Sequence, residues 1–183
     1  MIANYCHRSS FWKLFAAGLL LTLIGLIASV GQSPRTSPVP EAGQTALLGP
    51  IDVVASPDGK TLYVAGADAK QISAVDADGR KVSQSIAMPA QPTGLVLSRD
   101  GATLYVTCAG PQGSVAVVDV KSSSVDRLIP VGHGATGPAI SPDGKTLYVC
   151  NRFDNNVAVV DLATGRITLA PTTREPFAAA VTP

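Results

Sequence analysis

The sequence predicts an all-β body built from repeated four-stranded units, and three observations support this fold class. The nonapeptide SPDGKTLYV occurs at Ser56–Val64 and again, unchanged, at Ser141–Val149, with SRDGATLYV between them at Ser98–Val106. The three copies begin 42 and 43 residues apart. No helical period of apolar residues follows Val30. A period of roughly 40–45 residues with several short strands per unit is typical of the blades of a β-propeller.

The N-terminal residues predict a hydrophobic helix that acts as a signal or a membrane anchor. Residues 1–13 are a leader whose basic residues are Arg8 and Lys13, and Leu14–Val30 is an uncharged, mostly apolar run. A run of this length can cross a bilayer as a helix, with the leader in the cytoplasm and the rest of the chain outside. We therefore expect an extracytoplasmic location, in the periplasm or at the cell surface. Membrane anchoring through this run and cleavage near Gly31 both stay open.

The remainder of the chain divides into a tether and a nearly neutral body. Residues 31–49 are rich in proline and serine and are predicted to be a flexible tether. Of the 14 basic residues in the chain, two lie in the leader, while all 13 acidic residues follow position 40. The body therefore lacks the basic surface that nucleic-acid binding requires, and we expect no nucleic-acid partner.

The repeated nonapeptide is predicted to be a hairpin that joins the first strand of each unit to the second. Proline presets φ, the aspartate side chain bonds the backbone, and glycine accepts a positive φ, while TLYV suits a strand. The aspartates that recur at the end of the third strand are assigned to turns in the same way, rather than to a ring of functional carboxylates. The structural turn residues are Asp58, Gly59, Asp100, Gly101, Asp143, Gly144, Asp76, Asp119 and Asp161.

Three blades and part of a fourth follow from this register. In the first repeat the four strand candidates are Ile51–Ser56, Thr61–Gly66, Gln71–Asp76 and Lys81–Ile86. The predicted blades cover about 51–86, 93–129 and 136–170 of the body at 50–183, and residues 177–183 should begin a fourth. We expect either that the chain is the N-terminal fragment of a longer protein or that another chain, including a second copy, supplies the missing blades.

The repeated strands also carry a resemblance to a known family. YVAG, YVTC and YVCN, each after a D-G-x-T-L turn, with ISAVD and VAVVD in the third strands, resemble the YVTN repeats of bacterial and archaeal cell-surface β-propellers. The resemblance covers about residues 50–183. It implies a propeller that in full has about seven blades, in a family of surface-layer-like proteins. Related propellers occur in periplasmic oxidoreductases and lactonases. It implies little about activity, because the repeated residues build the blade rather than a site.

Candidate ligand contacts are few. His133 lies in the connection before the third unit, and Arg174 and Glu175 lie in the connection after it. Such connections line one face of a propeller near its channel. Asp52 is the only ionisable residue of the innermost strands, so they hold no acid–base pair, and His133 has no partner at metal-ligand spacing. We expect no catalytic residue, metal or cofactor in these blades, and whether a longer form is an enzyme stays open.

Two functions remain. The leading hypothesis is an exported, membrane-tethered β-propeller repeat module for binding or cell-surface interaction, with an unknown protein or surface ligand as its partner. The alternative is the N-terminal scaffold part of a periplasmic oxidoreductase whose redox domain is absent from this chain. A C-x-x-C-H haem-attachment motif beyond Pro183 would favour the second function, and further blades the first.

Overall fold

The computed structural model describes residues 49–182, which form twelve β-strands in three four-stranded sheets. Each sheet is an antiparallel meander of consecutive strands. The predicted leader and hydrophobic helix, and all of the tether before Gly49, lie outside the described residues. Within the described part of the chain, no helix has the length and apolar character needed to cross a membrane.

The strand bounds repeat from sheet to sheet. The first sheet contains β1 (Pro50–Ala55), β2 (Thr61–Gly66), β3 (Gln71–Asp76) and β4 (Lys81–Ala87). The second contains β5 (Pro92–Leu97), β6 (Thr103–Cys108), β7 (Ser114–Asp119) and β8 (Ser124–Pro130). The third contains β9 (Ala135–Ile140), β10 (Thr146–Asn151), β11 (Asn156–Asp161) and β12 (Ile167–Pro171).

The predicted all-β class and its three four-stranded units are confirmed, in a propeller-like arrangement. Each sheet begins one residue before, and ends one residue after, the bounds that the repeat predicts. The innermost strands β1, β5 and β9 lie side by side, and the later strands of each meander lie progressively farther out. The units therefore radiate from one line, as the blades of a propeller do.

The nonapeptide forms the hairpin between the first two strands of each sheet. In the third sheet, Ser141 Oγ donates to Asp143 Oδ1 at 2.5 Å and accepts from the Thr146 N–H at 2.9 Å. The Lys145 N–H donates to the same Asp143 oxygen at 3.1 Å. Gly144 has a φ of 71°, in the left-handed region that glycine adopts without a steric penalty. The same bonds and the same positive φ recur in the first two hairpins.

Apolar side chains fill the spaces between neighbouring sheets. Tyr63 of the first sheet and Leu104 of the second lie in one core. Tyr105 of the second sheet and Leu147 of the third lie in the other. Both leucines are fully buried, so each packed layer removes large aliphatic side chains from water, at about 1.5–3 kcal/mol for each residue. The two cores hold the three sheets together.

The last segment differs from the prediction. Residues 177–182 were expected to form the first strand of a fourth blade, and the structure has no strand there. The reason is that a strand needs a ladder partner, and within residues 49–182 none pairs with this segment. The segment nevertheless lies beside the third sheet, because a Cβ on Gly137 would come within 2.8 Å of Ala178 Cα. It occupies the place that an innermost strand would take.

Candidate functional site

A cavity of about 430 Å³ lies at one end of the innermost strands, opposite the nonapeptide hairpins. It is bounded by the starts of β1, β5 and β9, by the residues that follow β2, β6 and β10, and by the segment after β12. We call it the axial cavity. Its lining residues are Ile51, Ala67, Gln91, Pro92, Thr93, Ala109, Gly134, Ala135, Thr136, Arg152, Phe153 and Phe177.

The lining residues come from equivalent positions of the repeat. Aligned on the nonapeptide serines, Ile51, Thr93, Thr136 and Phe177 are four copies of one position. Similarly, Ala67, Ala109 and Arg152 are three copies of another. Equivalent positions that converge on one space must surround the line about which the sheets are arranged. The cavity therefore lies at one end of the line about which the three described sheets are arranged, which is where complete propellers offer a concave site to ligands.

The chemical character of the cavity comes from the third unit and the segment after it. Arg152 stands where the first two units have alanine, and Phe177 stands where two earlier copies have threonine. Phe153 stands where the earlier units have Asp68 and Gly110. Phe153 is 55% exposed and Phe177 68% exposed, a large exposure for aromatic side chains beside a cavity.

Backbone hydrogen bonds place Arg152 and Phe153 at this cavity. Strand β10 ends at Asn151, and a tight turn follows in which Asn155 has a φ of 53°. The Arg152 N–H donates to the Gly134 carbonyl, and the Phe153 N–H donates to the His133 carbonyl, both at 3.3 Å. The turn after β10 is thereby held against the connection that precedes β9.

Four side chains form a row along the rim of the cavity. Arg152 Nη2 and Nε donate to Glu175 Oε2 at 2.9 and 3.2 Å. The Arg152 guanidinium carbon lies 5.4 Å from the centroid of the Phe153 ring, a distance at which the cation is attracted to the ring. The His133 ring has its centroid 4.8 Å from that of Phe153, at an interplanar angle of 52°. The row thus runs from the Arg152–Glu175 ion pair to the Phe153 and His133 rings.

The threonines that line the cavity are engaged in holding the sheets together. Thr93 Oγ1 lies 2.6 Å from the Ala135 carbonyl oxygen. Thr136 Oγ1 donates to the Thr93 carbonyl at 3.2 Å. These hydroxyls are thus satisfied within the fold. Arg152 is the one charged residue among those that line the cavity.

The four residues that the sequence proposed as ligand contacts fall in different places. His133 and Glu175 belong to the rim row. Arg174 is exposed and makes no hydrogen bond to any residue of the described range. Asp52 Oδ2 accepts from the Leu95 N–H at 2.9 Å and thereby connects two innermost strands. Its carboxylate therefore has a structural partner, and its role as a ligand contact stays a prediction.

Sequence reasoning missed Arg152, Phe153 and Phe177. The signal was available in the departure of one repeat from the others: YVCNRF in the third unit against YVAGAD and YVTCAG in the first two. Residues that all copies share build the blade, so a cavity-lining position at which one copy differs is free to serve a ligand. The three missed residues lie at such positions.

The described residues offer little reactive chemistry. Residues 49–182 contain no group of three or more His, Cys, Asp or Glu side chains placed to hold a metal ion. Cys108 and Cys150 are buried free thiols, and burial raises the pKa of both. A raised pKa keeps a thiol protonated and unreactive near neutral pH. The described cavity wall offers one cationic group and exposed aromatic surface.

Comparison with known proteins gives one informative likeness. No protein-family model matches the chain, and no curated protein matches it. The fold is common among solved structures, with 1006 matching chains, so the fold alone does not identify a function. One match is hydrazine synthase from Kuenenia stuttgartiensis, with a TM-score of 0.64 and 32% sequence identity. The alignment covers 80% of this chain and 41% of that chain, so this chain spans less than half the length of its neighbour.

Proposed function

We propose that this chain is an exported, membrane-tethered, propeller-like repeat module that binds a ligand in the axial cavity. The observation that supports the proposal is the cavity itself, at one end of the innermost strands, with Arg152, Phe153 and Phe177 at positions where the other copies have different residues. The chain keeps its repeated residues where the blades are built and varies them where the cavity is lined. Such variation is expected of a binding site on a repeated scaffold.

The extracytoplasmic location rests on the sequence. The basic leader and the apolar run Leu14–Val30 favour export, with the body held outside the membrane by the tether. The resemblance of residues 50–183 to YVTN repeats supports a periplasmic or cell-surface setting. A module in that setting meets small molecules and exposed groups of surface polymers before they reach the membrane.

Binding of a small aromatic probe tests the proposal. The full chain, in nanodiscs of zwitterionic lipid, is titrated with naphthalene-1-carboxamide in a calorimeter, with empty nanodiscs as the blank. We expect saturable binding. Phe177→Thr, which restores the residue of two earlier copies, should weaken it roughly tenfold because an exposed aromatic wall is lost.

The control removes a similar side chain elsewhere. Leu169 is a 54% exposed residue of the outermost strand β12, so Leu169→Ala deletes exposed apolar surface far from the cavity and should leave binding unchanged. Equal affinity in wild type and Phe177→Thr, or no saturable binding of any aromatic probe, would contradict the proposed function.

A second function is favoured by one observation, the likeness to hydrazine synthase. Under this alternative, the sheets are the N-terminal scaffold of a periplasmic oxidoreductase, and the redox group belongs to a part of the protein beyond Pro183. The coding sequence that follows Pro183 separates the two functions. A C-x-x-C-H motif there would favour the scaffold, and further repeats alone would favour the binding module.

A further inference from the structure

We infer that the ligand of the axial cavity carries a carboxylate beside a flat apolar group, and that Glu175 is the internal carboxylate that this ligand displaces from Arg152. The inference rests on the proposed function, since it names the ligand class of the same cavity. It follows from the charge of the wall, the conformation of Glu175 and the placement of the aromatic rings.

The charge of the cavity wall favours an anion. Arg152 is the one charged residue among those that line the cavity, and both equivalent positions are alanine. The remaining lining side chains are apolar, threonine or glutamine. A guanidinium on an otherwise neutral wall favours a negatively charged group, and its planar fork matches a carboxylate in particular.

Glu175 already places a carboxylate on this guanidinium, in an incomplete way. Nε and Nη2 of Arg152 both donate to the same oxygen, Oε2, so the two-oxygen fork of the strongest arginine–carboxylate pairs is not formed. The Arg152 and Glu175 side chains are 43% and 46% exposed. Ion pairs with this exposure contribute little to stability, so a ligand carboxylate can replace Glu175 at small cost.

The backbone at Glu175 indicates that its side chain serves a purpose there. Glu175 has a φ of 45°, in the left-handed region that a non-glycine residue rarely adopts. Two other copies of this repeat position are Gly49 and Gly134, with φ values of 68° and 71°. The chain therefore places a glutamate where those two copies use glycine, and it accepts backbone strain to do so. Strain of this kind is concentrated at ligand-binding and switch positions.

The aromatic residues define the rest of the ligand. Phe153 and Phe177 both line the cavity with more than half of their surface exposed. Phe153 lies 5.4 Å from the guanidinium carbon of Arg152, so a ligand anchored at Arg152 lies close to exposed aromatic surface. A cavity of about 430 Å³ is within the range that accepts a small organic molecule. An aromatic or similarly flat carboxylate can pair with the Arg152 guanidinium and also contact the phenylalanine side chains of the cavity wall.

A matched pair of probes tests the inference. Naphthalene-1-carboxylate and its neutral isostere naphthalene-1-carboxamide are titrated against the full chain in zwitterionic nanodiscs, with empty nanodiscs as the blank. We expect the carboxylate to bind about tenfold more tightly than the amide, and this preference to shrink at high salt. Arg152→Ala, which restores the residue of the first two units, should abolish the preference, so that the two probes bind with equal affinity.

Glu175→Gln provides the second arm. Removal of the competing charge should raise carboxylate affinity several-fold and leave amide affinity unchanged. Arg152→Gln, which keeps most of the side-chain volume, is measured in parallel with circular dichroism of each variant, so that loss of fold is not read as loss of binding.

Specific outcomes overturn the inference. Equal affinity of the two probes in wild type, a carboxylate preference that survives in both Arg152 variants, or an unchanged carboxylate affinity in Glu175→Gln would each refute it while amide binding leaves the proposed function standing. Failure of both probes to bind would refute the inference together with the proposed function.

Discussion

The carboxylates of the nonapeptide hairpins make the stability of the fold depend on pH. Hydrogen bonds from Ser56, Ser98 and Ser141 are the main cause that lowers the pKa of the hairpin aspartates two residues later. In each case the backbone N–H of the residue two positions beyond the aspartate also donates to the charged form. A bond that requires the carboxylate is lost when the carboxylate takes up a proton.

We therefore predict that the folded chain loses stability in acid, and that protonation of these aspartates causes part of the loss. A lowered folded-state pKa means that the stabilisation is fully present above the unfolded pKa, about 4, and is lost as the pH falls through the folded value. The unfolding midpoint of the full chain in urea should drop between pH 5 and pH 2. A variant with Asn at Asp58, Asp100 and Asp143 should show a clearly smaller drop, and Asp126→Asn, at an exposed site, should behave as wild type. Parallel pH profiles in all three proteins would show that the hairpin carboxylates are not responsible.

Residues that repeat could be predicted from the sequence, and residues that do not repeat could not. The hairpin role of Asp143 follows from the turn chemistry of SPDGK, which acts between neighbours in the chain. The Arg152–Glu175 pair joins a turn after β10 to a segment after β12, and its geometry depends on packing between loops. Sequence spacing contains no information about that packing. Glu175 was identified only by its place in a connection, and Arg152 was not identified.

At the level of elements, neighbouring innermost strands come closest to one another at glycine positions of the repeat. Gly94 of β5 and Gly137 of β9 are equivalent positions, and each faces the backbone of the next segment around the axis. A Cβ on Gly94 would lie 3.3 Å from the Gly137 backbone nitrogen, and a Cβ on Gly137 would lie 2.8 Å from Ala178 Cα. The segment 177–182 is therefore held by the kind of contact that joins β5 to β9.

We predict that Gly137→Ala disturbs this contact beyond the cost of backbone strain. Gly137 and Gly144 both have a positive φ, but a Cβ added at Gly144 would meet nothing within 4 Å. Gly144→Ala should thus show the strain alone, about 1 kcal/mol in the free energy of unfolding. Gly137→Ala should cost more, because backbone at residues 177–178 must move. Urea unfolding of both variants measures the difference, and equal losses would mean that the segment does not rest on Gly137.

The strands themselves were predictable because short-range patterns determine them. The turn signals and the β-branched residues of TLYV and VAVVD set each strand to within a residue. The prediction of a strand at residues 177–182 was wrong because it rested on their resemblance to the other innermost strands. A strand also requires a neighbouring strand for its hydrogen bonds. That requirement is not a property of the segment's own sequence.

For the whole molecule, identical residues of the nonapeptide differ in burial according to the sheet that contains them. The leucine is fully buried in the second and third sheets as Leu104 and Leu147, but Leu62 of the first sheet is only partly buried. The tyrosine is buried in the first and second sheets but only partly buried in the third as Tyr148. Among residues 49–182, the first and third sheets thus each present one face that no other sheet covers. The two faces carry the nonapeptide leucine and tyrosine that the packed layers bury.

We predict that these faces pair between copies of the chain, head to tail. Val53, on the uncovered face of the first sheet, is 56% exposed, whereas its counterpart Leu95 is buried. Sedimentation of the full chain in mild detergent should show association that rises with concentration. Val53→Lys should reduce it, and Leu128→Lys, at a 49% exposed site on the outer strand β8, should not. A monomer at all micromolar concentrations would refute the pairing.

The local bonding of the nonapeptide hairpin has a consequence for how such a gene can change. The serine–aspartate bonds of each hairpin lie within residues 56–61, 98–103 or 141–146, and the hairpin lies at the end of the sheets opposite the cavity. An unequal crossover between the coding sequences of two adjacent copies at this point would splice one hairpin half to a closely similar partner. The product would gain or lose one whole sheet, with every turn intact and with a new set of side chains delivered to the cavity. Copy number and ligand preference are therefore traits that a single recombination event can alter together.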